Sequence, residues 1–407
     1  MRQSLRQNYL SFPSPFRILM GATFIDQMGR FLLLPFFALY ITQRFQVGLT
    51  EVGYLFALFS GFGLIGSLFG GAITDRFGRK AMLIFGLVVS GLSSLTMGLV
   101  DDIAHFYALA AFVGLLSDAA GPAAGAMIAD LLPEHQRADG YSLQRVVLNL
   151  AATLGPALGG LLAARSYFLL FAADALLSAI TAIIVFILIP ETKPADVGEK
   201  LESSVLKTLG GYGTILRDKA FMAFFLISIL ATVIYVQFGS TLSVYLRDIH
   251  NIPPAGYGSL LSLNGILIVL FQLWVTRRSA VYPPMQMMAL GALLYGIGFG
   301  LYGFGSSFLF FAFAMAVVTL GEMVITPVGQ ALVARFAPQH MRGRYMASFG
   351  FTWGIAFIFG PLAGGLVMDN YDPRWVWYGC LILGAISALG YLALRAPAAQ
   401  RLSREPA

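Results

Sequence analysis

Apolar runs of about 20 residues recur along the whole chain, and they limit the folds that it can adopt. A run of this length crosses the ~30 Å hydrocarbon layer of a bilayer as a helix. Every backbone polar group inside a bilayer must pair within the protein, which leaves helices or a closed barrel. The runs are continuous rather than alternating, so they indicate helices. Charged residues make up only 11% of the 407 residues, whereas a soluble domain carries about 25%.

These runs predict twelve transmembrane helices separated by polar segments. The segment before the first run has no small-residue cleavage site and the run is too long for a signal peptide, so we expect it to be retained. Cys380 is the only cysteine, which excludes an internal disulfide and a cysteine-based metal site. The predicted spans are 17–43, 51–74, 80–100, 104–130, 138–163, 167–189, 219–246, 255–276, 285–304, 308–335, 341–368 and 374–394.

The distribution of basic residues predicts the orientation of the chain in the membrane. Of the 26 Lys and Arg residues, 20 lie on the side that carries both termini and four lie on the opposite side. Cytoplasmic segments carry the excess of Lys and Arg, so both termini are expected to be cytoplasmic. These residues are spread over seven short segments, so the net charge of +6 reflects orientation and does not indicate a nucleic-acid partner.

The chain contains an internal repeat with an offset of about 205 residues. Over 114–161 against 319–366, 13 of 48 positions are identical, and rare residue types such as Pro122 and Pro327 match in register. The longest polar segment lies between the two halves. We therefore predict an N-terminal six-helix bundle (1–190), a cytoplasmic linker (191–218) and a C-terminal six-helix bundle (219–407).

Six spans return the chain to the same side, so the two bundles are expected to be parallel repeats. The predicted fold class is an all-α membrane protein with twelve transmembrane helices in two such bundles. Secondary transporters of this plan hold substrate near the bilayer midplane between the repeats, which rock to give alternating access. A twelve-span structural or receptor protein is the alternative, and buried charge combined with duplication disfavours it.

Several ionisable residues lie within the predicted spans, where a charge costs at least ~2.5–3.5 kcal/mol. Glu322 stands in the middle of its span, with at least ten uncharged residues on either side. Burial without a partner favours the protonated acid, so a carboxyl group that is charged in only one conformation would couple proton flow to rocking. A structural pair is the alternative. The candidate residues for proton coupling and substrate binding are Asp26, Arg30, Asp118, Arg145 and Glu322.

Each of the remaining ionisable residues has two possible roles. Asp26 and Arg30 are four residues apart on one helix face and either pair with each other or act in gating and proton relay. Asp118 either lines the cavity or pairs with Arg145, which could instead extend toward cytoplasmic water. Pro122, one turn beyond Asp118, is expected to bend the helix. Asp174 is nearer the outer end of its span, and we expect it to meet water there.

Aromatic residues are abundant, and five of them are candidate walls of a cavity. An acidic cavity with aromatic walls suits lipophilic cations, through charge and through cation–π attraction. The candidates are Phe36, Tyr235, Phe238, Tyr245 and Trp353.

The loop between the second and third predicted spans reads GGAITDRFGRK, residues 70–80. It resembles the signature loop of the major facilitator superfamily, G-x-x-x-D-R-x-G-R-K. In that superfamily the acidic and basic residues form a gate between helices on the cytoplasmic side. The resemblance implies this role for Asp75, Arg76, Gly78 and Arg79, which would stabilise the outward-open state, and it implies that Asp130 is their acidic partner. Topology alone would also account for the basic loop.

The fifth span contains ATLGPALGGLL, which resembles the antiporter motif of drug/proton antiporters in the same superfamily. The motif residues here are Gly155, Pro156, Gly159 and Gly160, but the usual leading glycine is replaced by Ala151. The pattern recurs in the eleventh span, so part of it is attributable to helix packing.

The stretch TLGEMVITP, residues 319–327, looks like the corresponding span of bacterial twelve-helix multidrug/proton antiporters. The resemblance implies that Glu322 takes part in proton coupling and cation recognition. Many relatives carry an arginine in the middle of the fourth span, where this chain has Asp118, so their proton relay does not transfer as a whole.

Together these features predict a proton-coupled secondary transporter that exports lipophilic, cationic small molecules. It would be a monomer of the major facilitator fold in the bacterial inner membrane, with the proton as coupling ion, no cofactor and no metal. The alternative is a proton-coupled transporter of a defined metabolite such as a sugar, a peptide or a lysolipid.

Two other classes of function are less consistent with the sequence. A membrane-embedded enzyme is disfavoured because the four histidines lie at span ends without an HExxH pattern, and because there is no P-loop. A sensor or scaffold would bind its ligand normally after neutralisation of Asp26 and Glu322.

Overall fold

The structure is a computed structural model that describes residues 11–192, 213–338 and 341–403. Most of the predicted linker, 191–218, therefore lies outside the described residues. The described chain is almost entirely helical and contains no strand. Its first nine helices are α1 (Ser14–Leu33), α2 (Phe37–Phe45), α3 (Leu49–Phe77), α4 (Arg79–Leu99), α5 (Ile103–Ala119), α6 (Gly121–Leu131), α7 (Arg137–Ala163), α8 (Phe168–Leu188) and α9 (Lys219–Val236). The remaining helices are α10 (Thr241–His250), α11 (Pro254–Ser279), α12 (Pro284–Leu301), α13 (Phe308–Phe336), α14 (Arg342–Asn370), α15 (Arg374–Ala393) and α16 (Arg395–Ser403). Short 3₁₀ turns occupy Leu34–Phe36 and Glu134–Gln136.

Eleven helical segments among the described residues are long and apolar enough to cross a bilayer. The remaining predicted span, 104–130, is divided between α5 and α6, which have 17 and 11 residues. The division falls at Ala120, just before Gly121 and Pro122 at the start of α6. Proline lacks an N–H group and its ring clashes with the preceding turn, which explains the break. The sequence predicted a bend at Pro122, and the structure has a complete break of the helix just before it.

Helices α1 and α2 form one long segment that is interrupted by a 3₁₀ turn, and α9 and α10 form another that is interrupted at residues 237–240. The two interruptions are about 205 residues apart, as are the two halves of the repeat. Pro35 in the first 3₁₀ turn cannot donate a backbone hydrogen bond. At the interruption between α9 and α10, the side chains of Gln237, Ser240 and Thr241 are buried and form hydrogen bonds beside the irregular backbone.

The chain packs into two compact units. Unit 1 contains Met1–Tyr40, Leu58–Leu201 and Pro254–Ser262, as far as these ranges are described. Unit 2 contains Ile41–Ala57, Glu202–Pro253 and Leu263–Ala407, with the same restriction. The units follow the two halves of the sequence except at two short segments, 41–57 and 254–262. The domain boundaries drawn from the sequence remain a prediction.

The same helix pairings occur inside both units. In unit 1, α1 packs against α7 and α8, and α4 packs against α8. In unit 2, α9 packs against α14 and α15, and α12 packs against α15. These helices correspond in order within the two halves, so the packing supports the duplication that was inferred from the sequence. Close packing of α12 on α15 depends on Gly296 and Gly384, where an added Cβ would meet the backbone of the other helix.

Candidate substrate and proton site

Glu322 lies at the centre of α13, 14 residues from each end of this 29-residue helix. The Tyr235 hydroxyl donates a hydrogen bond of 3.0 Å to its Oε1 atom. The Asn264 side-chain amide donates a hydrogen bond of 2.9 Å to its Oε2 atom. Tyr235 is in the last turn of α9 before the interruption, and Asn264 is in α11, so three helices of unit 2 meet at this carboxyl group. Both of these donors, a tyrosine hydroxyl and an asparagine amide, are uncharged.

The Asn264 amide is itself fixed in place. Its Nδ2 atom also donates to Thr319 Oγ1 at 3.0 Å, and the Thr319 hydroxyl donates to the Met315 carbonyl at 2.8 Å. Asn264 is 9% exposed and Thr319 is completely buried. Within the part of the chain that the structure describes, Glu322 forms no ion pair with a basic residue. A mid-helix acid is thus held by neutral hydrogen-bond donors.

Aromatic rings surround the tyrosine that binds Glu322. The Tyr235 ring is stacked on Phe238 with centroids 5.6 Å apart and an interplanar angle of 3°. Trp353 approaches Tyr235 edge-on at 5.4 Å, and Tyr295 lies 5.5 Å away. Trp353 is 42% exposed, so this group of rings has an accessible side. Three of the five aromatic residues that were predicted as cavity walls are therefore brought together beside Glu322.

The other two predicted cavity aromatics are packed elsewhere. Phe36 has no exposed surface and meets Tyr257 edge-on at 5.7 Å in unit 1. Tyr245 is 1% exposed, donates to the Tyr302 carbonyl at 3.1 Å and packs against Trp377 at 5.0 Å in unit 2. Both rings fill packed aromatic clusters, because a large apolar surface is most stable when other rings cover it completely.

The charged candidates of unit 1 occupy different surroundings. Asp26 on α1 is half-buried and accepts a 3.0 Å hydrogen bond from Gln27 Nε2. Arg30 is exposed, and among the described residues no ion pair joins it to Asp26. Arg145 is exposed on α7, eight residues from the start of that helix. The side chains of Asp75 and Asp118 lie outside the described residues, so the roles predicted for them remain predictions.

The expectation that Asp174 meets water is wrong. Its side chain belongs to the buried part of α8 and is only 6% exposed. The cause is a close approach of α1, where Gly29 leaves room for the Asp174 carboxyl group. Distance from the end of the span suggested hydration, but contact between the two helices decides the burial.

Arg79, at the first position of α4, is 8% exposed and forms an ion pair with Asp130 over 3.1 Å between Nε and Oδ2. This is the pairing that the resemblance implied. Gly78 precedes it with φ of +99°, a conformation that favours glycine. Arg76 is exposed and lies over the Phe77 ring at 5.6 Å. The gating role of these residues remains a prediction.

Sequence reasoning missed a further acid in this cluster. Glu191 accepts hydrogen bonds from the backbone N–H groups of Arg79 at 2.9 Å and Lys80 at 3.2 Å. A carboxylate at a helix N-terminus satisfies unpaired N–H groups and complements the helix dipole. Thr192 adds a hydrogen bond of 3.2 Å to Asp130 Oδ2. The only sequence signal for this contact was an acid at the polar end of the sixth span.

The residues that resemble the antiporter motif form a packing surface for the interrupted helices. Gly155 lies against the backbone of Phe31 and Gly159 against that of Leu32, just before the 3₁₀ turn of unit 1. A Cβ atom added to Gly160 would lie 3.0 Å from the Cα atom of Ala255. Pro156 is inside α7 and its carbonyl group faces Gly258.

The repeat of this motif in α14 has the same relation to the second interruption. Gly360 and Gly364 lie against Gln237, whose Nε2 atom donates to the Gly360 carbonyl at 2.8 Å. Gly365 lies against the backbone of Leu49 and Thr50 in unit 2. In each half, the glycines of the motif thus allow a neighbouring helix to pack closely beside an interruption. This supports the sequence-based interpretation that part of the motif serves helix packing.

A second carboxylate that the sequence did not single out binds the start of α3. Asp369 accepts hydrogen bonds from the backbone N–H of Leu49 at 2.9 Å and of Thr50 at 2.7 Å. All three residues belong to unit 2. In the matching place of the repeat, α11 begins with Pro254, which has no N–H group to donate.

The fold and this site define a class of protein: a multi-span helical membrane transporter made of two like-folded halves, with an acid near the middle of one span. The Major Facilitator Superfamily model matches residues 19–253 and 238–407. The chain belongs to this superfamily, which is one of secondary transporters.

Two named relatives and one solved structure illustrate the similarity. The chain is 28% identical to a Na(+), Li(+), K(+)/H(+) antiporter of Planococcus maritimus, over 88% of this chain and 89% of the relative. It is 26% identical to the multidrug resistance protein MdtH of Escherichia coli (strain SE11), over 92% of this chain and 88% of the relative. A POT family transporter crystallised with 5-aminolevulinic acid matches with a TM-score of 0.79 and 15% identity, over 96% of this chain and 97% of that one, and shows the fold alone.

Proposed function

We propose that this protein is a proton-coupled transporter that exports lipophilic cations across the bacterial inner membrane by alternating access. The observation that carries the proposal is the Glu322 carboxyl group, held in the middle of α13 by Tyr235 and Asn264. A buried acid inside a span is costly unless it serves a function or has a charged partner. Tyr235 and Asn264 are neutral, so the negative charge of Glu322 is available for a proton or for a cationic substrate.

The chemistry of the two partners is compatible with both forms of the acid. The hydroxyl group of a tyrosine can both donate and accept a hydrogen bond. The side-chain amide of an asparagine has an NH₂ group that donates and a carbonyl oxygen that accepts. The hydrogen-bonded group can therefore reorganise locally when Glu322 gains a proton. A lysine or arginine partner would instead be left as an uncompensated buried charge, which is strongly destabilising. The neutral donors thus permit proton exchange with little disturbance of the surrounding helices.

The aromatic rings next to Glu322 indicate the class of substrate. Tyr235, Phe238 and Trp353 present ring faces and edges beside a carboxylate, and Trp353 is accessible. A cation with an apolar body gains from charge attraction to the acid and from contact with the rings. The name of the multidrug relative, MdtH, is consistent with such a substrate.

Export is coupled to proton entry because the proton and the cationic substrate compete for the Glu322 carboxyl group. When Glu322 is charged, it attracts the cation, and when it is protonated, it releases the cation. A protein that rocks between two open states with either ligand bound exchanges one for the other across the membrane. We place both termini in the cytoplasm, on the basis of the asymmetry of Lys and Arg.

The test uses the full-length protein in reconstituted vesicles with a pH gradient that a fluorescent dye reports. Adding tetraphenylphosphonium or ethidium should collapse the gradient when the wild-type protein is present. Glu322→Gln keeps the size of the side chain and removes its charge, so it should abolish this response. A pH gradient that is unchanged by a broad panel of lipophilic cations would refute the proposed substrate class.

The matched control is Asp372→Asn, which also removes one carboxylate. Asp372 is exposed and receives hydrogen bonds from Arg374, whose guanidinium holds the pKa of this carboxyl group below its usual range. It stays ionised at working pH and lies outside the spans, so its loss should leave transport unchanged. An equal loss of transport in both variants would mean that the effect of Glu322→Gln is not specific.

Exchange of alkali cations for protons is a second candidate, favoured by the name of the Planococcus maritimus relative. The same carboxylate would then hold a small cation, together with neutral oxygen atoms such as that of Asn264. The same vesicles distinguish the candidates, because Na⁺, Li⁺ or K⁺ would collapse the gradient without an organic cation.

A further inference from the structure

Asp174 is a buried acid outside the group of residues around Glu322. It lies in the seventh position of α8 and is 6% exposed. Gly29 of α1 faces it so closely that an added Cβ would lie 2.6 Å from Asp174 Oδ1 and 3.1 Å from its Cα. The carboxyl group therefore occupies the space that a side chain at position 29 would fill. Both residues belong to unit 1.

The residues next to Gly29 place two charged groups at the same contact. Asp26 is three residues before Gly29 and shares its helix face, and Arg30 is the next residue. Both act electrostatically on Asp174. The helices α4 and α7 also pack against α8, but no titratable group on them acts on Asp174. Among the described residues, Asp26 and Arg30 are therefore the titratable groups that face this acid. The cluster contains two acids and one base.

Two hydroxyl groups complete the surroundings of this acid. Ser94 of α4 is 4% exposed and lies beside the Asp174 carboxyl group, and it also donates to the Phe171 carbonyl at 3.2 Å. Ser178 is one turn after Asp174 on the same face of α8 and is 1% exposed. Its Oγ atom has no hydrogen-bond partner within the described residues. Polar atoms in protein interiors are nearly always paired, and this buried hydroxyl can accept a hydrogen bond from a protonated acid beside it.

The charge balance of the cluster determines what it binds. Arg30 supplies one positive charge for two acids, and in the part of the chain that the structure describes neither Asp26 nor Asp174 forms an ion pair. A buried acid without a counter-charge is stable only when it is protonated. We propose that Asp174 is a second proton-binding group, which takes up one proton at its carboxyl oxygen when unit 1 holds it buried next to Asp26 and releases this proton to water when it becomes exposed.

A proton fits this cluster better than a metal ion. Among the described residues no group of three or more acids, histidines or cysteines is arranged to hold a metal. An alkali or divalent cation needs six or so oxygen ligands, and the positive charge of Arg30 would repel it. A single proton needs only one carboxyl oxygen and a hydrogen-bond acceptor, such as the Ser94 or Ser178 hydroxyl. The part that Asp174 plays in transport rests on the proposed proton coupling, but its protonation does not.

The test measures protonation directly, through infrared difference spectra of the purified full-length protein as a function of pH. Protonated carboxyl groups give a separate C=O stretching band. Wild-type spectra should contain a titrating component that is lost in Asp174→Asn and retained in Glu322→Gln. If Asp174→Asn has the same titrating bands as the wild type, Asp174 does not exchange a proton and the proposal is overturned.

A pair of glycine variants keeps the proposal testable if Asp174→Asn does not fold. Gly29→Ala places a methyl group against the Asp174 carboxyl group and should shift the titration midpoint of its band. Gly21→Ala is the matched control on the same helix, because no atom lies within 4 Å of the added Cβ. Identical titrations for these two variants would contradict the proposal.

Failure of this inference and failure of the proposed function give different results. If the Asp174 band titrates but transport ignores the pH gradient, the proton site stands and the proposed coupling fails. If transport depends on the pH gradient and on Glu322 while the spectra contain no Asp174 component, only the present inference fails.

Discussion

The side-chain amide of Gln237 donates a hydrogen bond of 2.8 Å to the backbone carbonyl of Gly360. Gln237 is at the interruption between α9 and α10, and Gly360 is next to the proline inside α14. The same Gln237 side chain accepts a hydrogen bond from the Thr241 hydroxyl, so the three residues form a buried hydrogen-bond network. The hydrogen bond between Gln237 and Gly360 joins the irregular backbone between α9 and α10 to the helix α14.

Gly364→Ala should destabilise the protein, because the added methyl group meets Gln237 Oε1 and Thr241 Oγ1. Overpacking of this kind costs about 1–3 kcal/mol. Gly350→Ala, in the same helix, meets nothing within 4 Å and should be neutral or slightly stabilising. Thermal unfolding of the two purified variants in one detergent measures the difference. Equal apparent Tm values would show that this contact is not tight.

Asp369→Ala should loosen the start of α3. It removes the acceptor for two backbone N–H groups, those of Leu49 and Thr50, and loss of such a cap costs about 0.5–2 kcal/mol. Asp369→Asn keeps one acceptor oxygen and should lose less. Hydrogen exchange at residues 49–51 reports the effect locally, with protection falling in the order wild type, Asn, Ala. Unchanged protection in the alanine variant would contradict the capping role.

Asn264→Ala should reduce proton-linked transport by roughly tenfold or more, because a hydrogen bond to a charged group contributes about 1.5–3 kcal/mol. Gln272→Ala is the matched control. Gln272 is also on α11 and donates to α13, but to the Met323 carbonyl at 3.0 Å rather than to Glu322. Initial rates of gradient collapse in vesicles compare the two. Similar losses would attribute the effect to packing of α11 on α13.

The ion pair between Arg79 and Asp130 should be strongly coupled, since Arg79 is 8% exposed. Arg79→Gln and Asp130→Asn should each lower the free energy of unfolding by about 1–3 kcal/mol, and the double variant should cost less than their sum. Asp102→Asn breaks an exposed contact with His105 and should change little. Additive losses in the double variant would mean that Arg79 and Asp130 act independently.

Much of the fold could be predicted from the sequence, because apolar runs and a repeat are global features. Twelve spans follow from length and hydropathy, and the break before Pro122 follows from the geometry of proline. The identity of matching residues such as Gly155 and Gly360 was enough to predict that the two halves fold alike. The packing of the short segments 41–57 and 254–262 could not be predicted, since it depends on contacts between residues that are far apart in the chain.

Only those parts of the candidate site that stand out as single residues in the sequence could be predicted. Glu322 stood out because its neighbours along the chain are uncharged. Its partner Asn264 did not, although it is the one amide in the run LLSLNGILIVL, because neutral polar residues are common in spans. The burial of Asp174 depends on a glycine 145 positions earlier, a relation that no local pattern contains.

The central claim is that a proton and a cationic substrate compete for the Glu322 carboxyl group. The most direct test is to add tetraphenylphosphonium to the purified protein in weakly buffered solution and to record binding and pH together. The account predicts that the wild-type protein releases protons as it binds, and that Glu322→Gln releases none while Asp372→Asn behaves as the wild type. Binding of the cation by the wild type without any release of protons would contradict it.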